Sequence, residues 1–298
     1  MTAALALGTY RCRDVSEAAK AALDVGVDWI DTAPNYHGGE AERLLAPVLA
    51  TNPTVRVSTK VGYLTKANLA DAVEAGVVLP SEAECGHSIR PDFVTWQCAR
   101  SKAALGRSPD ILFLHNPEHG HAESASFERR LVPAFEALEE SCCRGDLHGY
   151  GVATWDAFDK GVTAVGRLVS LARAVGGPGH HLKALQLPLS LIKIKYLAHG
   201  LSGIGVLRDA EWAGLDVLAS APLHGGELLD IVTPAVAQEL GAGLSPLEVT
   251  LGAVASTPGV RRVLLSASTA EHWTAATAAT SRPLRPLRLR RIVDAFST

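Results

Sequence analysis

Val27-Asp28-Trp29-Ile30-Asp31-Thr32-Ala33-Pro34-Asn35-Tyr36 is the stretch on which the reading of this chain turns. Its apolar members Val27, Trp29 and Ile30 read as a buried strand over residues 27–31 that ends in a carboxylate, and a loop then carries a phenol. Two later apolar runs, residues 55–60 and 109–115, read as strands that end in Lys60 and His115. Strand ends that converge on one face with an acid, a phenol, an ammonium and an imidazole are how a barrel active site looks in sequence.

Outward from that stretch the pattern is regular. Strands are expected at 5–8, 27–31, 55–60, 109–115, 149–155, 184–188, 215–220 and 260–266. Between them lie helical stripes: one begun by Asp14 and Glu17 at capping-box spacing, then 38–50, 93–105, 127–143, 160–175 and 196–213. Further helices are expected at 234–240, 246–256, 270–280 and 289–296. Strands alternating with helices at this spacing pair in parallel through crossover helices. Eight such units make an α/β protein of the (β/α)8 TIM-barrel class, and no linker argues against one domain over 1–298. Residues 64–90 break the rhythm, with Gly76, Pro80 and Gly86 in mixed polarity. They are expected as a loop with a helical turn near 67–78, either facing substrate or inert on the surface.

Composition limits the partners. Lys and Arg number 28 against 31 Asp and Glu, so no electrostatic case exists for nucleic acid or a membrane surface. The local basic excess at 282–291 reads as a solvated turn and helix face. Five cysteines with no CxxC or Cys/His metal spacing fit a reduced environment. With no secretion-signal pattern and no apolar run of about 18 residues, a soluble cytoplasmic protein is expected. Oligomeric state is silent.

The motifs Gly8-Thr9-Tyr10, Asp31-Thr-Ala-Pro-Asn-Tyr36, Gly39-Glu-Ala-Glu-Arg43, Ser58-Thr-Lys60 and Leu114-His115 resemble the aldo-keto reductase superfamily in order, spacing and strand position. The resemblance covers nearly the whole chain. It implies an NAD(P)-dependent oxidoreductase that interconverts a carbonyl (aldehyde, ketone or sugar hemiacetal) and an alcohol by hydride transfer, with a small-molecule substrate. It also implies that Tyr36 is the general acid/base, that Lys60 and Asp31 tune it, and that His115 orients the carbonyl. Elementary chemistry agrees. A phenol with a pKa of about 10 exchanges protons poorly near neutrality unless a neighbouring ammonium stabilises its charged form. An imidazole N–H can stabilise a developing alkoxide. Taken singly, each of these polar residues could equally be a satisfied structural group.

On the cofactor side the resemblance implies that Gly8, Thr9 and Tyr10 line the first strand end, and that Gln186 contacts a nicotinamide carboxamide. Ala153-Thr154 stands where the family usually carries Ser-Asn, and Ser220 where an aromatic commonly stacks. Pro222, Leu223, Gly225 and Gly226 follow, and the glycines let backbone approach a pyrophosphate. After the eighth strand come Ser266, Ser268 and His272, with His272 the sole cation and Ala276 among the alanines where adenine contacts are usual. A 2′-phosphate ordinarily calls for Arg or Lys. NADPH is the cofactor that the resemblance implies, and NADH is the alternative that these departures leave open.

His119 and His121, with Glu118 and Glu123 nearby, have a metal-like look, but no third ligand is in view, so no metal is expected and a pocket-lining role is preferred. Trp155, at a strand tip, is a candidate pocket wall. Two other functions stay open: a non-redox dehydratase, isomerase or lyase reusing Tyr36, Lys60 and His115, and a non-catalytic binding subunit.

Overall fold

A computed structural model describes residues 2–66, 68–120, 123–241 and 243–297. Eight parallel strands close in sequence order into a barrel: β1 (Ala4–Gly8), β2 (Trp29–Asp31), β3 (Arg56–Val61), β4 (Ile111–His115), β5 (Tyr150–Ala153), β6 (Leu182–Pro188), β7 (Asp216–Ser220) and β8 (Arg262–Leu265). This is the (β/α)8 TIM barrel that the alternating pattern predicts. β8 returns to β1 with Leu7 opposite Leu265, which seals the ring. Helices cover the outside, and two apolar layers result. Leu7, Ile30, Val57, Leu112 and Leu185 face the helices. Ala6, Trp29, Phe113, Ala184, Leu218 and Leu264 fill the interior.

The boundaries move where local bonding competes with apolar pattern. β2 starts at Trp29 rather than 27, because the Val27 amide returns to the Ala22 carbonyl at 3.1 Å and so finishes the preceding helix Val15–Asp24. Asp14 caps that helix by accepting from the Glu17 amide. The helix expected from 38 begins at Ala41, after a 3-10 turn over His37–Gly39. The single helix expected over 196–213 is two, Ile194–Leu201 and Gly205–Trp212. Gly205 has φ +73°, and a Cβ there would meet the His199 ring at 2.8 Å, so the break requires glycine. The segment expected as a loop holds two short helices, Leu69–Glu74 and Pro80–Cys85. Asn68 fastens it to Gln97 of the helix Pro91–Leu105 through a buried 3.0 Å hydrogen bond.

Glu42, in the helix Ala41–Thr51, is a buried carboxylate of the helical layer. It accepts from the hydroxyl of Thr59, whose side chain leaves β3 on the outer face. Burial pushes the Glu42 carboxyl above its ordinary range, against the hydrogen bonds from Thr59 and Ser101 and the charges of Lys60 and Arg100. A carboxyl whose folded pKa exceeds its unfolded pKa binds its proton more tightly when folded. Its contribution is therefore fully present below the unfolded value and is lost as pH rises through the folded one. Glu42→Gln keeps an acceptor for Thr59 and removes that titration. Thermal unfolding at pH 4 and pH 8 checks this: the melting temperature of the variant relative to the parent should rise between the two pH values. A constant difference would contradict it.

Candidate active site

The C-terminal strand ends open into a cavity of ≈ 680 Å³. Strand register decides which side chains reach it. Asp31 lies between Gly8 and Ser58, Ala153 lies between His115 and Gln186, and Pro188 faces Ser220.

Asp31 and Lys60 form the buried base of the site. The Lys60 ammonium donates to Asp31 Oδ2 at 2.6 Å and to the Thr32 carbonyl at 2.8 Å. Both residues are buried, Lys60 at 1% exposure. Tyr36 reaches the site from the loop after β2. Its carbonyl accepts from the amides of Gly39 and Ala41, which ties it to the start of the next helix. The Lys60 ammonium sits 4.7 Å from the centre of the Tyr36 ring. His115 presents its ring edge-on 6.2 Å from that of Tyr36. Asp31, Tyr36, Lys60 and His115 are thus brought together, and all but Lys60 line the cavity.

The electrostatics differ in one respect from the expectation that Lys60 makes Tyr36 easily ionised. Burial raises the Tyr36 pKa and Asp31 adds to it; Lys60 opposes both, and the net direction is upward. The phenol is protonated at neutral pH. Burial works against the charge on Lys60, but Asp31 and Tyr36 outweigh it and the lysine stays an ammonium. Burial, with the charge of Lys60 and then His87, holds His115 well below its ordinary value, so it is a neutral imidazole.

Residues outside the candidate set contribute to the wall as well. Tyr63, Asn116 and Arg11 line the cavity. Asn116, with φ +48°, donates its side-chain amide to the Tyr63 hydroxyl at 3.0 Å. Tyr63 stacks edge-on against His115 at 4.8 Å and His87 at 5.1 Å. His87 Nε2 donates to the His115 carbonyl at 2.8 Å. Gly62 makes this approach possible: at φ +155°, a Cβ would meet the His115 carbonyl at 2.7 Å. Lys60-Val-Gly-Tyr63, an aromatic just past a strand-end glycine, was the signal available. Residues 64–90 do not line the cavity among the described residues; His87 serves it from behind.

The cofactor candidates divide. Gly8, Tyr10, Thr154, Gln186, Ser220, Pro222, Leu223, Gly225 and Ser266 line the cavity. Thr9 does not; its hydroxyl is buried against that of Thr32 at 2.8 Å. Ser268 is half-buried near the Cys12 thiol, and His272 is exposed on the first turn of the helix Ala270–Thr280; both lie off the cavity wall. Gln186 is 5% exposed, and its buried side-chain NH2 has no partner among the described residues. A buried donor left unmatched on a cavity wall fits a carbonyl-bearing ligand such as a carboxamide. Thr154 is otherwise engaged. Its hydroxyl donates to Glu118 Oε1 at 2.6 Å and accepts from the Ala157 amide at 3.0 Å.

His119 stacks on His87 and Tyr63 rather than on the cavity wall, and His121 lies outside the described residues. No group of three metal-ligating side chains occurs among the described residues, and no described helix is long and apolar enough to cross a membrane. Trp155 does stand at the rim, 44% exposed. Glu118 holds it there: Oε1 accepts from the Trp155 amide at 3.0 Å as well as from Thr154. Glu118→Ala should therefore cost about 1–3 kcal/mol in chemical unfolding, and Glu118→Gln less. An Ala variant as stable as the parent would show the clamp to be idle.

The chain is 30% identical over 154 residues to a D-threo-aldose 1-dehydrogenase of Pseudomonas sp. That alignment takes in 48% of this chain and 45% of the relative, so the chain spans under half the length of the dehydrogenase it matches. The fold superposes on the holo form of aldo-keto reductase AKR11C1 from Bacillus halodurans with a TM-score of 0.73 at 15% identity, covering 100% of this chain and 93% of the other. The sequence profile of the Aldo/keto reductase family matches residues 2–295. The protein belongs to the aldo/keto reductase family.

Proposed function

We propose that this protein is an NAD(P)-dependent oxidoreductase that interconverts a carbonyl and an alcohol, with Tyr36 as its proton-exchanging group. The observation that carries the reading is the buried Asp31–Lys60 pair beneath the Tyr36 phenol, beside a neutral His115. A nicotinamide cofactor, when bound, supplies or accepts the electron pair at the substrate carbon. Gln186 would hold its carboxamide, and Gly225 and Ser266 would border its remainder. What the chain does is handle the oxygen.

In the reductive direction the substrate carbonyl oxygen sits between the Tyr36 hydroxyl and the His115 ring. Neutral His115 donates an N–H to that oxygen as negative charge builds on it. Protonated Tyr36 gives up its proton to the oxygen, and the ammonium of Lys60 stabilises the phenolate left behind. Asp31 keeps Lys60 charged and in place. In the reverse direction the same phenolate removes the alcohol proton. The relative's printed activity suggests an aldose hemiacetal as substrate, and the aromatic rim of Tyr10, Tyr63 and Trp155 suits the apolar faces of a sugar ring. Since Ser266, Ser268 and His272 offer no Arg or Lys, we further propose NADH over NADPH.

Tyr36→Phe should lower kcat by about three or more orders of magnitude while leaving dinucleotide affinity within about twofold. Turnover near the parent level would sink the assignment. Thermal stabilisation on adding NADH and NADPH separately tests the cofactor, with the larger shift expected for NADH. Silence toward both up to millimolar concentration would favour a non-redox reaction on this barrel.

A further inference from the structure

Below the cavity, the barrel interior carries a hydrogen-bonded chain that leads up to Asp31 and Lys60, and its lower members, Trp29 and Ser58, have no part yet in the proposed reaction. Register sets Trp29 opposite Arg56 and Asp31 opposite Ser58. Alternate residues of a strand share a face. Trp29 and Asp31 on β2, and Ser58 and Lys60 on β3, therefore point inward, while Thr59 points out toward Glu42. The Trp29 indole N–H donates to Ser58 Oγ at 3.0 Å, and Ser58 Oγ donates to Asp31 Oδ1 at 2.7 Å. The other carboxylate oxygen of Asp31 accepts from Lys60. Trp29, Asp31, Ser58 and Lys60 are 4%, 3%, 0% and 1% exposed, so the chain is shielded from bulk water except where Asp31 meets the cavity.

The direction of the chain is fixed by its first member. A serine hydroxyl rotates and can give or accept, whereas an indole nitrogen only donates. With the indole occupying a lone pair of Ser58, the serine proton is aimed at Asp31. The indole in turn sits among cations: the guanidinium carbon of Arg262 is 4.8 Å from its ring centre and that of Arg56 is 5.8 Å. Asp28 holds Arg262 with bonds of 2.6 and 3.2 Å. Cations against the π system draw electron density from the indole and strengthen its N–H as a donor. An apolar packing residue at position 29 would need none of this.

We infer that Trp29 and Ser58 are positioning residues for the proton-exchanging site, forming a one-way relay that fixes the Asp31 carboxylate so that Lys60 remains under Tyr36. The inference rests on the proposed role of Tyr36. Without the serine proton, the negative charge of Asp31 falls more fully on Lys60, and Lys60 has less to offer the phenolate.

The test is a double-mutant cycle on the full chain with its nicotinamide cofactor. Trp29→Phe removes the N–H but keeps a ring between the two cations; Ser58→Ala removes the link itself. Each should reduce kcat about tenfold with KM and dinucleotide affinity within about twofold, and the double variant should be no slower than Ser58→Ala. In alcohol oxidation, the pH limb on which activity appears should move to higher pH in both. Additive losses in the double variant, or a Trp29→Phe protein with unchanged kcat and limb, overturns the relay. Should Ser58→Ala fail to fold by circular dichroism, the pH limb of Trp29→Phe decides alone. Tyr36→Phe serves as the control. If it stays active, the reading of the site falls first; if it is inactive while Trp29→Phe behaves as the parent, only the relay falls.

Discussion

A lysine and an aspartate excluded from water hold this structure's chemistry together. Placing an ammonium and a carboxylate in a barrel interior carries a heavy desolvation penalty, which mutual attraction offsets only when the remaining donors and acceptors are also matched. Here they are: Lys60 has the Thr32 carbonyl in addition to Asp31 and lies against the Tyr36 ring, and Asp31 has Ser58. Removing either charge strands the other, so the pair constrains both strands that carry it. The register of β2 against β3 is the one that lets this pairing form, and the shape of the cavity floor follows from it.

Around that pair the division of labour is between a rigid base and a braced rim. The base is built on strand ends, where side-chain direction is fixed by the ladder. The rim is built on loops, and the molecule compensates with cross-loop bonds: Asn116 to Tyr63, His87 to the His115 carbonyl, and Glu118 to Thr154 and the Trp155 amide. Protonation states fit the same division. The buried phenol is an acid, the ammonium stays charged beneath it, and the imidazole is neutral and available as a donor.

The barrel and three of the four central residues were legible in the sequence because they depend on periodicity and on strand ends; Tyr36 stands on a loop and was read from the Asp31–Tyr36 motif. Asp31, Lys60 and His115 each close an apolar run, and that position alone aims them at one face. What stayed hidden depends on contacts between segments distant in the chain. Lys60-Val-Gly-Tyr63 marks an aromatic past a strand-end glycine but not its turn against His115, and nothing in Ala153-Thr154 says that the threonine hydroxyl is committed to Glu118, 36 residues earlier. Helix ends failed for a related reason. Apolar stripes run across Gly203 and Gly205, while the backbone breaks where glycine permits positive φ. The segment after β8 offers the least pattern: Ser268 is half-buried and His272 exposed, and neither reaches the cavity wall.

The bond from Glu118 to the β5 tip makes the two rim loops a single mechanical unit. One carboxylate oxygen receives the hydroxyl of Thr154 and the amide of Trp155, so the segment after β4 and the segment after β5 share a keystone. Attempts to redirect this barrel toward other molecules by exchanging one loop would leave half of that joint behind. Transplanting residues 116–120 and 154–157 as a matched set preserves it.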